Sequence, residues 1–168
     1  MDRFFQLVDD VYSKYCIPRI YPVPLDDIVR GLGYKVDFFE VTPETEHISG
    51  AVYYNDNQIW LNPREIRKRR NFTLAHELGH ILLGHEKNVI DGREYDTRHN
   101  IANPDKTDKR EVDANEFAAE LLMPENTFKK VWDETKSIVE LSDYFDVSIV
   151  AANARMEKLG LMYDYEKK

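Results

Sequence analysis

The N-terminal third of the chain changes from a helical to a strand-like pattern of apolar residues. Residues 4–15 carry apolar side chains near helical spacing, and residues 25–32 have the form of a second, short helix. Aromatic and β-branched residues then fill 34–41, 48–54 and 58–62, and three turn formers separate the last two runs. This pattern predicts two helices followed by a small, mostly antiparallel sheet of about three strands.

From residue 63 onwards the pattern is helical. Apolar residues share one broad face from Pro63 to Gly84, with Asn62 as the candidate N-cap, and they predict a long, largely buried helix. Residues 85–110 are polar without a steady period, and so long a connection in a compact domain is usually functional or mobile. The last two predicted helices, joined by a short turn at Asp146, have the outline of a helix-turn-helix. After this connection helices are predicted at 111–123, 124–132, 137–145 and 148–160, and the last two of these form the helix-turn-helix outline.

The composition is that of one globular domain, and it bears on the cell compartment. The chain has 168 residues, of which 42% are hydrophobic and 32% charged, and it is interpreted as a single domain over 1–168. A single cysteine excludes an intrachain disulfide and favours a reducing compartment. No apolar run approaches the roughly 20 residues of a membrane-spanning helix, and the N-terminus lacks the apolar stretch of a signal peptide. We therefore expect a cytoplasmic protein with no membrane contact.

The charge balance disfavours nucleic acid as a partner. The net charge is −8, which opposes the counterion-release attraction that draws basic proteins to nucleic acid. A basic stretch at 64–70 is interpreted as the solvated face of a helix. The final predicted helix offers only Arg155 and Lys158 beside Glu157, which is little positive charge for a DNA-reading helix. Direct nucleic-acid binding is therefore not expected.

The segment that indicates chemistry is His76-Glu77-Leu78-Gly79-His80, an H-E-x-x-H pattern inside the strongest helical stretch. Two histidines four residues apart differ by about 6 Å along a helix and by about 40° around it, so both imidazoles can reach one cation. Imidazole is a preferred zinc ligand, and the pair would supply two of the three protein ligands of an open catalytic site. Glu77 lies beside them and could take a proton from a water molecule. The pattern arises by chance in such a chain roughly once in a hundred.

The motif itself does not identify a third ligand. A three-histidine extension would need glycine at position 83 and histidine at position 86, whereas the chain has Leu83 and Glu86. The other common solution is a glutamate from a following helix. Glu111, Glu116 and Glu120 compete for that role, and helical geometry leaves the choice open.

Two long motifs make the sequence resemble a known family. FTLAHELGHILLGH at 72–85 and EVDANEFAAELLMP at 111–124 resemble the ImmA/IrrE family of zinc metallopeptidases, and the likeness extends over about residues 20 to 160. The resemblance implies an α+β, zincin-like fold. In that fold a small, mostly antiparallel three-stranded sheet packs against an active-site helix and a C-terminal helical bundle. The catalytic core would lie at about 20–132, and the C-terminal helical segment at 137–160.

The resemblance also implies a ligand set. The third ligand of a Zn²⁺ ion would be the glutamate that opens the E-x-x-A-N stretch, which is Glu111, beside His76 and His80. Asn115 would accept the second ring N–H of a ligand histidine, His76, and so fix its tautomer. Glu77 would be the catalytic residue, taking a proton from water and returning it to the leaving amine.

Further parts of such a site are open at the level of sequence. A second electrophile could stabilise the tetrahedral intermediate, and no candidate can be chosen by spacing. In zincins a sheet edge usually aligns the substrate, and we expect strand 49–54 in that role. The candidates for the electrophile are His85, His99, Tyr95, Tyr53 and Tyr54.

The implied function is a zinc-dependent endopeptidase that cuts a specific protein. The resemblance points to a helix-turn-helix transcriptional repressor of a phage, mobile element or stress regulon as the substrate. The alternative is a non-catalytic, zinc-containing binding module in a regulator or toxin–antitoxin complex. Glu77 discriminates between the two, because a structural zinc usually has four protein ligands and no use for that glutamate.

Overall fold

The fold is that of a computed structural model, which describes residues 3–85, 88–90, 93–95 and 109–161. The expected α+β class is confirmed. In the described residues the helices are α1 (Arg3–Lys14), α2 (Leu25–Gly31), α3 (Arg67–Leu83), α4 (Lys109–Leu122), α5 (Glu125–Thr135), α6 (Ile138–Phe145) and α7 (Ile149–Lys158). The strands there are β1 (Lys35–Phe38), β2 (Gly50–Tyr53), β3 (Gln58–Leu61), β4 (Asn88–Ile90) and β5 (Arg93–Tyr95). None of these helices combines the length and the apolar character that crossing a membrane requires.

The three-stranded sheet has the order β1-β3-β2 and is mixed. The predicted hairpin is present, since β2 pairs antiparallel with β3 and Gly50 lies opposite Leu61. The expectation of a mostly antiparallel sheet is wrong for β1, which pairs parallel to β3 with Lys35 opposite Gln58. The chain between β1 and β2 carries β2 to the far side of β3, so the hairpin leaves β3 in the middle and pointing the same way as β1.

A second, two-stranded sheet lies within the stretch that the sequence pattern marks as an irregular connection. Strands β4 and β5 pair antiparallel, with Asn88 opposite Tyr95 and Ile90 opposite Arg93. Cα atoms of β5 lie within 8 Å of those of β2. The missed strands are only three residues each, which is too short for an alternating pattern to stand out.

Helix α3 begins later than its sequence pattern predicts and ends where predicted. Its N-cap is Ile66 rather than Asn62. The Asn62 side chain instead builds a turn, accepting the Arg64 backbone N–H at 2.9 Å and donating to the Ile48 carbonyl at 2.8 Å. At the other end Gly84 adopts φ 64°, the left-handed conformation that glycine tolerates best and that ends many helices.

Helices α3 and α4 cross in close contact at Gly79. A Cβ atom at this position would lie 3.1 Å from the Ala114 carbonyl oxygen and 3.1 Å from the Phe117 ring. A side chain would therefore force the two helices apart. Leu78 on α3 and Phe117 on α4 are fully buried beside this crossing, so the contact also forms part of the hydrophobic core.

The turn between α6 and α7 is bound to the N-terminal part of α3. Asp146 has φ 51° and ends α6, and its carboxylate accepts hydrogen bonds from Arg67 and Asn71. Lys68 donates to Ser142 Oγ at 2.9 Å. Arg67 and Lys68 belong to the basic stretch that we interpret from sequence as a solvated helix face. The Arg67 side chain is 71% exposed, as expected of a solvated face, but both residues are in addition partners of the C-terminal helices, which the sequence did not predict.

The α3–α4 crossing gives a stability prediction. Gly79→Ala should lower the free energy of unfolding by about 1–3 kcal/mol, because the added methyl group must displace the α4 backbone. Chemical denaturation monitored by circular dichroism measures this change. In a helix free of neighbours the same substitution would raise stability by about 1 kcal/mol, so a gain in stability would contradict the crossing described here.

Candidate metal centre

Helix α3 brings its two motif histidines together in the interior. His76 and His80 are 1% and 0% exposed, and their Nε2 atoms lie 2.9 Å apart. This follows from their spacing of four residues on a helix whose residues 73–80 are all buried. Buried imidazoles need polar partners, so an exposed helix turn with solvated histidines is excluded.

Helix α4 supplies a carboxylate to the same point. Glu111 Oε2 lies 3.2 Å from His76 Nε2, and Glu111 Oε1 lies 3.4 Å from His80 Nε2. One potential ligand atom from each of the three residues falls within 4.8 Å of the other two. Two imidazole nitrogens and one carboxylate so arranged form a group that could hold a divalent metal ion.

Of the three glutamates that the sequence offers as the third ligand, Glu116 and Glu120 have other partners in the structure. Glu120 is buried in an ion pair with Arg155, whose Nε also donates to the Met123 carbonyl at 3.0 Å. Glu116 pairs with Lys158. Both carboxylates therefore serve to fasten α7 to α4, and Glu111 alone of the three joins the histidines.

Each histidine also has a partner at its second ring nitrogen. His76 Nδ1–H donates to Asn115 Oδ1 at 2.8 Å, and Asn115 lies on α4 one turn after Glu111. His80 Nδ1 lies 2.8 Å from His85 Nδ1. When Nδ1 carries the proton, the Nε2 lone pair is left for a metal, so the contact with Asn115 favours the ligand tautomer of His76, and the contact with His85 is compatible with the same tautomer of His80.

The contact of the His85 ring with His80 was not predicted from the sequence. From its chemistry His85 is a candidate electrophile, but the structure puts its ring against His80. The cause is the end of α3: with Gly84 in the left-handed conformation, the chain turns back and the His85 backbone N–H donates to the His80 carbonyl at 3.1 Å. A histidine directly after a C-terminal glycine, five residues beyond a ligand histidine, is a signal that could have found this contact.

Glu77 lies on α3 between the two histidines in sequence and is 1% exposed. Its carboxylate faces the backbone of β2, since a Cβ atom at Gly50 would lie 3.1 Å from Glu77 Oε1. The absence of a side chain at Gly50 makes room for the glutamate. The first strand residue of β2 thus borders the site, at the end of the segment 49–54 that we expect to align a substrate.

Of the other residues considered as electrophiles, the structure describes the side chains of Tyr53 and Tyr54, and these have partners elsewhere. Tyr53 contacts Trp60 edge to face, with ring centroids 6.3 Å apart. Tyr54 packs against the hydrophobic core. His99 and the side chain of Tyr95 lie outside the described part of the chain.

Residues 30–157 match the peptidase family described as the IrrE N-terminal-like domain. Among solved structures, a Mycobacterium tuberculosis transcriptional regulator is similar, with a TM-score of 0.66 and 16% sequence identity over 94% of this chain. At that identity the likeness shows a shared fold. The chain spans 56% of the length of that regulator. No curated protein matched the chain.

The ligand set gives a prediction for metal binding. Glu111→Gln should weaken zinc affinity by more than about 100-fold, because it replaces the anionic ligand by a neutral amide. Competition with a chromogenic chelator measures the affinity. The matched control is Glu116→Gln on the same helix, which should leave zinc affinity within a few fold. Equal affinities for the two variants would remove Glu111 from the ligand set.

The contact of His85 gives a second prediction. His85→Ala should weaken zinc affinity by about 10–100-fold through loss of the partner that orients His80. His85→Gln, which keeps an acceptor at this place, should restore part of the loss. Asn115→Ala should have an effect of similar size through His76. If zinc affinity falls for Asn115→Ala and stays unchanged for His85→Ala, the contact with His80 has no bearing on the metal.

Proposed function

The chain belongs to the peptidase family of IrrE N-terminal-like domains, and from this premise we propose that it is a zinc-dependent endopeptidase. The observation that carries the proposal is the convergence of His76, His80 and Glu111 with the motif glutamate Glu77 on the same helix. The substrate is a specific protein, and the reaction is hydrolysis of one of its peptide bonds.

The metal would be held by three protein ligands. His76 and His80 offer Nε2 atoms and Glu111 offers its carboxylate, a nitrogen and oxygen set that suits zinc. Zinc bound there would supply Lewis acidity, which activates water and polarises a carbonyl group. Asn115 would keep His76 in the ligand tautomer, and His85 would orient the ring of His80.

Glu77 would perform the proton transfers. It directly follows His76 on α3, and its buried carboxylate lies against β2. As a general base it would accept a proton from the attacking water, and as a general acid it would deliver that proton to the amine of the departing peptide. A carboxylate that acts in both directions needs no second proton carrier.

The rival function, a binding module with a structural zinc, is less well supported. A structural zinc usually has four protein ligands. Within the described residues the histidine and acidic side chains that could share one ion form a group of three. Three ligands leave a position for water and substrate, as a catalytic site requires.

We further propose that the substrate is a helix-turn-helix transcriptional repressor. The similar fold of a protein named as a transcriptional regulator supports a place in gene control. The pair α6 and α7 is itself a helix-turn-helix in outline, but α7 exposes Ile149 and Val150 near its start and the net charge is −8. These features favour contact with a protein over direct contact with DNA.

Replacement of Glu77 tests the enzyme directly. Glu77→Gln should keep zinc content and fold and lose cleavage by at least about 100-fold, since the amide cannot accept the proton. Zinc content and the circular dichroism spectrum show that the site is intact. Glu134→Gln on the exposed end of α5 is the control and should cleave like the wild type. Cleavage by Glu77→Gln at the wild-type rate would refute the catalytic role.

The repressor encoded nearest to this chain is the first candidate substrate to test. The zinc-loaded protein is incubated with that repressor, and new termini are mapped by mass spectrometry. Cleavage by the wild type and none by Glu77→Gln supports the peptidase. A stable complex in which neither protein is cut would favour the binding module.

A further inference from the structure

The outer face of the three-stranded sheet carries a groove of about 410 Å³. Val52 and Ile59 are fully buried on the inner face, and the Cβ direction of Gly50 points to Thr73 of α3. Because side chains alternate along a strand, Tyr53 and Trp60 lie on the opposite, outer face. The groove is lined by Phe39, Glu40, Tyr53, Asp56, Gln58 and Trp60.

Two aromatic rings form a wall of this groove without serving the core. Tyr53 and Trp60 are half-buried and meet edge to face, with an interplanar angle of 70°. Neither belongs to the hydrophobic core or to the apolar residues packed against it. Large aromatic side chains on a solvent-facing surface expose ring faces that can bind a ligand.

The groove is negatively charged. Glu40 and Asp56 are both exposed, and in the part of the chain that the structure describes no lysine or arginine forms an ion pair with either carboxylate. On the same face of the neighbouring strand β1, Lys35 and Asp37 carry opposite charges that offset each other. Counted over the side chains that the structure describes, the outer face therefore keeps an excess of two negative charges next to two aromatic rings.

We propose that this groove binds a lysine or arginine side chain of the protein substrate. A cation over a tyrosine or tryptophan ring is attracted by the electrons of the ring face, and the carboxylates add an ionic attraction. The methylene groups of the side chain can lie along the rings while its charged end reaches the carboxylates. A neutral apolar ligand would leave two carboxylates partly desolvated without a partner, and an anion would be repelled.

The position of the groove relates it to the metal centre. Gly50, at the start of β2, borders Glu77, and Tyr53 is the last residue of the same strand. Three residues of strand span about 10 Å. An extended substrate that reaches both places would carry its basic residue about three positions from the cleaved bond. This spacing rests on the proposed function, whereas binding of the cation does not.

Binding is tested with the full chain labelled with ¹⁵N. The chain has two tryptophans, so two indole N–H signals are expected, and Trp60→Phe identifies the one from Trp60. The probe is the peptide acetyl-Gly-Arg-Gly-amide, with its citrulline counterpart as the neutral control. The arginine peptide should shift the Trp60 signal saturably and leave that of the buried Trp132 in place. The citrulline peptide should bind about ten-fold more weakly.

Charge variants locate the binding. The double variant Glu40→Gln/Asp56→Asn should weaken binding of the arginine peptide at least about five-fold. The control Asp133→Asn/Glu134→Gln removes the same charge from the exposed end of α5 and should leave the affinity within about two-fold. Equal losses in both variants would mean that net charge alone attracts the peptide, and this would overturn the proposal.

Two other results would also overturn it. Equal binding of the arginine and citrulline peptides would make the groove an apolar site. A Trp60 shift with calcium alone, and none with the arginine peptide, would make it a cation site for metals. Because no bond is cut in these titrations, their failure leaves the Glu77→Gln experiment untouched, and an inactive peptidase leaves the titrations valid.

Discussion

The close crossing of α3 and α4 at Gly79 is the contact on which the candidate metal centre depends. Gly79 lies directly before His80, and Ala114 opposite it lies directly before Asn115. With no side chain between them, the helices approach until α4 can place Glu111 within 3.4 Å of both Nε2 atoms. A packing contact between two backbones thus sets the geometry of the polar groups around it.

The polar residues of this interior are held in place by one another. His76 and His80 are buried among apolar side chains, where unpaired polar groups would destabilise the fold. Asn115 and His85 satisfy their outer nitrogens, and Glu111 faces the inner ones. The hydrogen bond to Asn115 that makes the burial of His76 tolerable also fixes the tautomer that metal binding would need, so stability and the proposed function depend on the same contact.

The C-terminal helices hold α3 and α4 in place through ion pairs. The buried pair of Arg155 with Glu120 fastens α7 to α4, and Asp146 binds Arg67 and Asn71 at the start of α3. Both helices of the candidate metal centre are therefore held from outside by the helix-turn-helix segment. Asp143, Asp146, Arg155 and Lys158 of this segment each form an ion pair with α3 or α4, so the segment completes the fold around both helices.

The sequence by itself determined the local features. Helical periodicity and the left-handed glycine predicted where α3 ends, hairpin turn residues predicted β2 and β3, and the spacing of His76 and His80 placed two imidazoles on one helix face. These properties depend on residues close in sequence, which is why a pattern can show them. The family resemblance added Glu111 and Asn115 as expectations, whereas helical geometry left the third ligand open.

Only the tertiary structure decided the rest. It brought Glu111 to the two histidines and paired Glu116 and Glu120 with residues of α7, and it placed β1 parallel to β3. It turned His85 from a possible electrophile into a partner of His80, and it set two aromatic rings beside two exposed carboxylates on the outer sheet face. Each of these facts is a contact between segments far apart in the chain, and such contacts follow from how helices and strands pack rather than from the period of any one segment.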